Sequence, residues 1–356
     1  MKKKMIRILC VFLSLFLLGG SLAGCSGVNT KNVVSYKGDG ISCAVFEYLC
    51  CTKKTDYLYE AYGTDSSGIS ADQLQDNQAI WSASDASGTT VADALKGEVL
   101  QELQTLLFLK NYAEEKGYTL SAEQKKLVKQ DFDALVYRGF DDKRDFNAEM
   151  KKYGADYDSL LEFNYLQSLA YQGNELLFGE QGTMKVSEDT ARNYYTKNYM
   201  TVSTIFLNTQ NKKYPNGKVV VLPADEKAEK VKLADQIEQK LQSGEDFDAL
   251  RAAFSDESDA AATSTFLTGT FAVPEVEEKA KTLSVGEVSR VDVAGGTYFV
   301  RRLELNKDFF SSEKEAILSQ LQEVKKYTLV ADAAADFKLN ETYLNSLDIA
   351  ALSHVV

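Results

Sequence analysis

The sequence predicts an α+β multidomain chain. A helical domain would be built from N-terminal helices and one C-terminal helix, with an α+β domain inserted between them. Three observations carry this reading. Apolar residues recur at helical spacing through the first half, as far as Phe178. Alternating β-branched stretches and turn residues are confined to residues 201–305. A further long helical pattern follows them, and a chain of 356 residues suffices for two cores.

Each element has a local reason. Residues 33–36 read as extended, 41–62 as an aromatic-rich helix, and 63–90, rich in Gly, Ser and Asp around Trp81, as loop. Leu95, Val99, Leu103, Leu106 and Leu107 form one stripe of a helix that Gly117 stops. Ser121 with Gln124 is a capping-box pattern opening a helix through Leu127, Phe132, Leu135 and Val136. A short helix spans 144–153, and Asp156 caps another that runs to Phe178. Residues 186–199 read as helix, 201–207 as strand, and 212–222 as short extended pieces around the turn Pro215-Asn216-Gly217. An amphipathic helix at 225–241 uses Val231, Ala234 and Leu241, and a short helix follows at 247–254. Strands at 288–293 and 297–305 are joined by Ala294-Gly295-Gly296. Ser312 with Glu315 caps a final helix, whose Ile317, Leu321 and Val324 face is expected to pack on the earlier helices.

Residue counts exclude several chemistries. The sole histidine is His354, in a polar tail, where it reads as solvated. That rules out Ser-His-Asp and Cys-His catalysis, an H-E-x-x-H zinc site and most imidazole acid–base chemistry. No phosphate-binding G-x-x-x-x-G-K-[ST] occurs, and no cofactor or metal is implied. A formal net charge of −12 disfavours non-specific binding to nucleic acid or anionic lipid. Removing Lys2, Lys3, Lys4 and Arg7 with a leader makes the remaining chain more acidic still. Cys50 and Cys51 are adjacent, and α-carbons about 3.8 Å apart fall short of the roughly 4.4 Å a disulfide needs. Cys43 stands two helical turns from Cys50, so these thiols read as free and core-packed.

The N-terminus carries a basic start and an apolar stretch over 8–18 that is too short to span a bilayer, the pattern of a secretory signal. The run Leu22-Ala23-Gly24-Cys25 resembles the lipobox of bacterial lipoproteins. That resemblance implies cleavage before Cys25 and lipidation of its thiol. Residues 1–24 would be the signal, 25–33 a lipidated tether, and the chain would sit on the outer face of the cell membrane.

The α+β stretch resembles the parvulin family of peptidyl-prolyl isomerases. The matching residues are Val202-Ser203-Thr204-Ile205-Phe206-Leu207 for its opening strand, Gly244-Glu245-Asp246-Phe247-Asp248-Ala249-Leu250 for "G-x-D-F-x-x-L", and Phe254-Ser255-Asp256 for "y-S-D". Val273-Pro274-Glu275-Val276-Glu277, the "L-x-x-G-E-x-S" run from Leu283 to Ser289, and Gly296-Thr297-Tyr298-Phe299-Val300-Arg301 complete the set. The flanks, including Ala113 to Ser121 and Val186 to Tyr195, resemble extracytoplasmic foldases of the PrsA and SurA kind. This resemblance divides the chain into a chaperone domain at 34–186, a parvulin-like domain at 187–308, and a returning C-terminal helix and tail at 309–356.

The departures from the family are specific. The resemblance aligns the family's two facing histidines with Thr204 and Tyr298, its central acid or cysteine with Glu257, and its proline-clamping Met and Phe with Ala272 and Val276. It therefore implies a degenerate pocket, with Thr204 and Tyr298 able to hydrogen-bond each other across the floor. The implied function is a lipid-anchored foldase or chaperone. It would hold unfolded or newly exported polypeptides in a cleft between its domains, with a homodimer as an allowed assembly. The alternatives are an active parvulin-type isomerase and a solute-binding lipoprotein of a transporter. Bland readings attach to the remaining features: Trp81 as a loop residue pinned to a core, Lys212, Lys213 and Lys218 as a solvated hairpin, and the run from Glu275 to Glu278 as a solvated helix face.

Overall fold

The computed structural model describes residues 31–62, 74–213, 219–257 and 263–355. Cys25, the leader before it and the Pro215-Asn216-Gly217 turn lie outside the described residues. The chain divides into two compact units. One runs to Lys185 and resumes at Gln322, and the other comprises Val186–Leu321.

The helical unit begins with strands β1 (Asn32–Tyr36) and β2 (Asp39–Ser42) and helices α1 (Cys43–Tyr62) and α2 (Gln78–Ser82). Helices α3 (Val91–Glu115), α4 (Ala122–Gly139), α5 (Lys143–Met150) and α6 (Tyr157–Phe178) follow. The caps foreseen from local sequence are present. Thr90 Oγ1 accepts from Asp93 N, Ser121 and Gln124 form a capping box, and Asp156 forms another with Ser159. Helix α3 ends as Gly117 turns the chain at φ +84°, a conformation costly for other residues.

Leu95, Val99, Leu103 and Leu107 of α3 are fully buried with Phe46, Leu58 and Trp81. Each such leucine contributes about 1.5–3 kcal/mol through burial. Helix α6 crosses α3 at Gly173, where a Cβ would meet Leu109 O at 2.0 Å, so only glycine fits there. A second cluster gathers Cys51, Phe132, Val136, Phe146, Met150, Tyr153 and Tyr157. Cys43, Cys50 and Cys51 are free thiols. Burial raises the Cys50 thiol beyond any physiological ionisation and pushes Cys51 up to about 12.

Two readings of this unit are corrected. Residues 41 and 42, taken as the start of the first helix, belong to β2, which pairs with β1 because Lys37 and Gly38 make a tight turn with positive φ. The C-terminal segment also contributes structure that no local signal announced. Strand β9 (Phe337–Leu339) pairs with β1, giving the sheet order β2-β1-β9. The short helix α12 (Glu341–Ser346) is tied to α1 by Tyr343 Oη donating to Glu47 at 2.6 Å.

The α+β unit contains α7 (Glu188–Asn198), β3 (Tyr199–Asn208), β4 (Asn211–Lys213), β5 (Val219–Val221), α8 (Ala224–Gln242), α9 (Phe247–Phe254) and β6 (Thr263–Leu267). Helix α10 (Pro274–Lys281) and strands β7 (Val288–Val293) and β8 (Gly296–Leu303) complete it. Its antiparallel sheet has the order β6-β3-β8-β7. Side-chain alternation separates two faces. Ile205, Leu207 and Phe299 pack under α8 and α9, whereas Met200, Val202, Tyr298 and Val300 pack with Val276 and Ala280 of α10. Val231, read as apolar-face, is exposed, because the buried stripe of α8 runs through Ala234 and Ile237.

The last long helix, α11 (Lys307–Asp332), starts earlier than Ser312. Asn306 Oδ1 accepts from the N–H groups of Asp308 and Phe309, and so caps it in place of Ser312. The expected packing of its Ile317, Leu321 and Val324 face is also corrected. Ile317 and Leu321 join Ala191, Tyr195 and Phe310 within the α+β unit, and Val324 is 42% exposed. Further along, Val330 joins the helical core. The cause is the aromatic group Tyr195, Tyr199, Phe309 and Phe310, which already offers the early turns an apolar partner. Among the described residues no helix is long and apolar enough to cross a membrane.

Candidate functional site

Of the five residues singled out in the α+β domain, Thr204 meets Glu257, Tyr298 packs with Val276, and Ala272 is exposed. Thr204 and Tyr298 lie on the α10 face of the sheet, on neighbouring strands. The register pairs Thr204 with Val300 and Phe206 with Tyr298. Thr204 is 3% exposed and Tyr298 8%. The expected hydrogen bond between them is replaced by two separate contacts. Thr204 Oγ1 donates to Glu257 Oε2 at 2.8 Å. The Tyr298 ring instead stacks on Phe206, with centroids 4.3 Å apart and planes 22° from parallel. Directly opposite residues on an antiparallel pair bring their rings into contact, and the hydroxyl of Thr204 is left for the nearest acceptor.

Glu257 is placed by the segment before it. Ser255 Oγ accepts from Phe206 N at 3.1 Å and from Glu257 N at 3.3 Å. Asp256 N donates to Phe206 O at 2.7 Å, and Asp256 Oδ2 accepts from Asn208 N at 2.8 Å. Residues 255 and 256 thus extend the ladder along β3 and hold the Glu257 carboxyl over the floor. Burial raises the Glu257 pKa above the usual carboxylate value, opposed by the Thr204 hydrogen bond. Burial, then the charge of Glu257, pushes Tyr298 up to about 12. At neutral pH these contacts offer one half-buried carboxyl group, one neutral phenol and a stacked ring pair, with no imidazole.

The wall residues depart from expectation as well. Ala272 is exposed, on the loop before α10. Val276 is fully buried on the same face of the sheet, packed with Tyr298 and Val300. The amphipathic face of α10, which buries 276, 277 and 280 together, sets that orientation.

Glu277 is the residue that reading α10 as a solvated face missed. It is 3% exposed, its carboxylate accepting from Gly269 N and from Phe271 N at 3.0 Å, with Lys281 3.1 Å away. It fixes the loop that carries Ala272. The spacing of Glu277 from Val276 and Ala280 marks the buried face of the helix, which was the available signal.

The other sequence candidates fall elsewhere. Trp81 is buried on α2 and its Nε1 donates to Asp76. His354 is half-buried and lines a cleft with Asp76, Glu149, Lys152 and Tyr153, which corrects the reading of it as solvated. Lys212 pairs loosely with Glu226 at 3.6 Å. Among the described residues no cluster of three or more His, Cys, Asp or Glu could hold a metal ion.

Residues 212–296 match the PPIC-type PPIASE domain of the Rotamase family. The chain carries a rotamase domain. The match includes Glu257, Ala272 and Val276, begins after Thr204 and ends before Tyr298. No curated protein matches the chain. Among solved structures it is similar to the peptidylprolyl isomerase PrsA from Bacillus cereus, at 23% identity over 74% of this chain and 94% of that one, with a TM-score of 0.34. It is similar also to foldase protein PrsA from Streptococcus pneumoniae str. Canada MDR_19A, at 17% identity over 88% of this chain and 97% of that one, with a TM-score of 0.26. A third is from work on the SurA-like chaperones PEB4 and Cj1289 of Campylobacter jejuni, at 9% identity over 86% of this chain and 98% of that one, with a TM-score of 0.25. The matched stretch lies within the α+β unit, where Thr204 contacts Glu257 and Phe206 contacts Tyr298.

Proposed function

We propose that this protein is a lipid-anchored extracytoplasmic foldase that holds unfolded, newly exported polypeptides, and that its rotamase domain is catalytically degenerate. The observation that carries the reading is a rotamase-family domain whose floor has Thr204–Glu257 and Phe206–Tyr298 contacts where the resemblance expects two histidines. The chain has only His354, outside that domain.

The physical argument concerns the transition state. Rotating a peptidyl-prolyl bond crosses a barrier of roughly 18–20 kcal/mol. Catalysis requires stronger interaction with the twisted amide than with the planar one, from a slot for the ring and a preorganised polar floor. Here the Thr204 hydroxyl is spent on Glu257, the Tyr298 ring is stacked on Phe206, and Val276 is packed into the core against Tyr298. Holding a chain needs only apolar contact area, which does not depend on that geometry. An active isomerase is the second reading, favoured by the retained carboxyl at Glu257. The antiparallel sheet and helical first half speak against the two β–α lobes of a solute-binding lipoprotein.

Two measurements test the proposal. The full chain without its leader is expected to suppress aggregation of a reduced, unfolded client while leaving the isomerisation rate of a proline tetrapeptide within about twofold of the uncatalysed rate. A robust rate that is lost in Tyr298→Phe or Thr204→Val would show that these residues do the histidines' work. The anchor is tested by metabolic labelling with a fatty acid in a bacterial host. Cys25→Ala should abolish incorporation, and normal labelling of that variant would sink the lipobox reading.

A further inference from the structure

We propose that the groove between α4 and α6 of the helical unit binds an extended, uncharged polypeptide segment. This rests on the foldase reading and names the surface and the substrate chemistry. The groove is shallow, with a volume of about 450 Å³. Its apolar lining is Leu120, Leu127, Val128 and Tyr171. Leu127 is 51% exposed and Tyr171 61%, although both stand on well-capped helices whose other faces are packed.

Charge selects the occupant. Charged residues make up 26% of the chain, yet none lines this groove. The cleft around His354, by contrast, is lined by Asp76, Glu149 and Lys152. The polar lining here is Ser168 and the amides of Gln124, Asn164, Gln167 and Gln172. A primary amide presents a donor and an acceptor together, the same pair a peptide unit presents. Gln124 Oε1 is held by Ser121 N, and Asn164 Nδ2 by Leu160 O, so the complementary atom of each amide is left for another partner. An extended chain without charges would place aliphatic side chains against Leu120, Leu127 and Val128 and its backbone against the amides. A charged segment would have to shed water without gaining a counter-charge.

The test uses the full chain without its leader and two fluorescent decapeptides, one of alternating valine and serine and one with glutamate replacing every serine. The neutral peptide is expected to bind at least about tenfold more tightly than the acidic one, a difference of about 1.4 kcal/mol. The double variant Leu127→Asp/Tyr171→Asp should weaken the neutral peptide about tenfold with unchanged far-ultraviolet circular dichroism, since both residues are exposed. Gln167→Ala/Gln172→Ala should weaken it less, without altering the preference for the neutral peptide. Unchanged affinity in the aspartate variant overturns the groove assignment. So does a wild-type dimer that the same variant converts to monomer, because the occupant would then be a second copy, and so does tighter binding of an oligosaccharide than of the neutral peptide. Failure of the wild type to suppress client aggregation would overturn the foldase reading itself. Suppression that survives in the aspartate variant, together with undiminished peptide binding, would overturn only the groove.

Discussion

Replacing Lys54 by methionine is expected to cost the helical unit about 3 kcal/mol and to loosen its C-terminal segment. Lys54 is fully buried on α1. Its Nζ donates to Ile349 O at 2.9 Å and to Leu352 O at 2.6 Å, pairs with Asp76 Oδ2 at 2.6 Å, and lies 4.8 Å from the centre of the Trp81 ring. Methionine keeps the length and apolarity of the stem, so a cavity is not the cause of the loss. What remains is a carboxylate without its cation and the Leu352 carbonyl without the lysine donor, while Ile349 O keeps only the Leu352 N–H, and each group so deprived costs desolvation free energy that nothing returns. Urea unfolding followed by Trp81 fluorescence reads the change, since that ring sits on the ammonium group. The double variant Lys54→Met/Asp76→Asn should lose less than the sum of the two single variants. A single-variant loss below about 0.5 kcal/mol would falsify the claim that this lysine fastens the C-terminus.

Glu277→Gln is expected to cost about 2 kcal/mol and to free the loop before α10. The carboxylate accepts from two backbone N–H groups, and an amide side chain offers only one acceptor oxygen for them. Burial works against the Glu277 charge, but the Gly269 and Phe271 N–H groups and Lys281 outweigh it, and its pKa lies below the ordinary 4.5. The sign follows. A depressed carboxyl pKa contributes stability that is fully present above the unfolded value and is lost as pH falls through the folded one. The wild type should therefore show slowed hydrogen exchange at the Gly269 and Phe271 amides near neutral pH, with protection falling below about pH 4.5 after correction for intrinsic exchange. In the glutamine variant protection should be weak throughout. Equal protection of both proteins at pH 7 would show that the loop is held by other contacts.

The helical elements were legible because their signals are local. The boxes at Ser121 and Asp156, the leucine ladder of α3 and the glycine stop at 117 each act within a turn or two of chain. The rotamase motifs were legible as short runs of residue types, although Ser255 and Asp256 do their work on β3, at Phe206 and Asn208. Strands β2 and β9 were not legible. Each is short, and β9 is a strand only because β1 lies alongside it, some 300 residues away in sequence. The start of α11 was misread because Ser312 and Glu315 satisfy a capping rule locally. Packing of Phe310 on Ala191 and Tyr195, with Asn306 as the cap, holds an earlier turn helical.

The residue types of the candidate site were fixed by composition, and their contacts were not. With a single histidine in the chain, at position 354, the contacts among Thr204, Glu257, Phe206 and Tyr298 involve no imidazole. Which group Thr204 would bond, however, depended on strand register and on the Ser255-Asp256 ladder that carries Glu257 within 2.8 Å of it. Burial decided the rest. Val276 and Glu277 are neighbours on one helix, and only its packing against the sheet buries the first against Tyr298 and turns the second from a solvated charge into the clasp of a loop. By itself the sequence determined most of the helices and the residue types of the candidate site, because these depend on residue identity and short spacing. Only the tertiary structure decided which polar groups lost water and which partners they then had to find, because desolvation is set by what the rest of the chain brings against them.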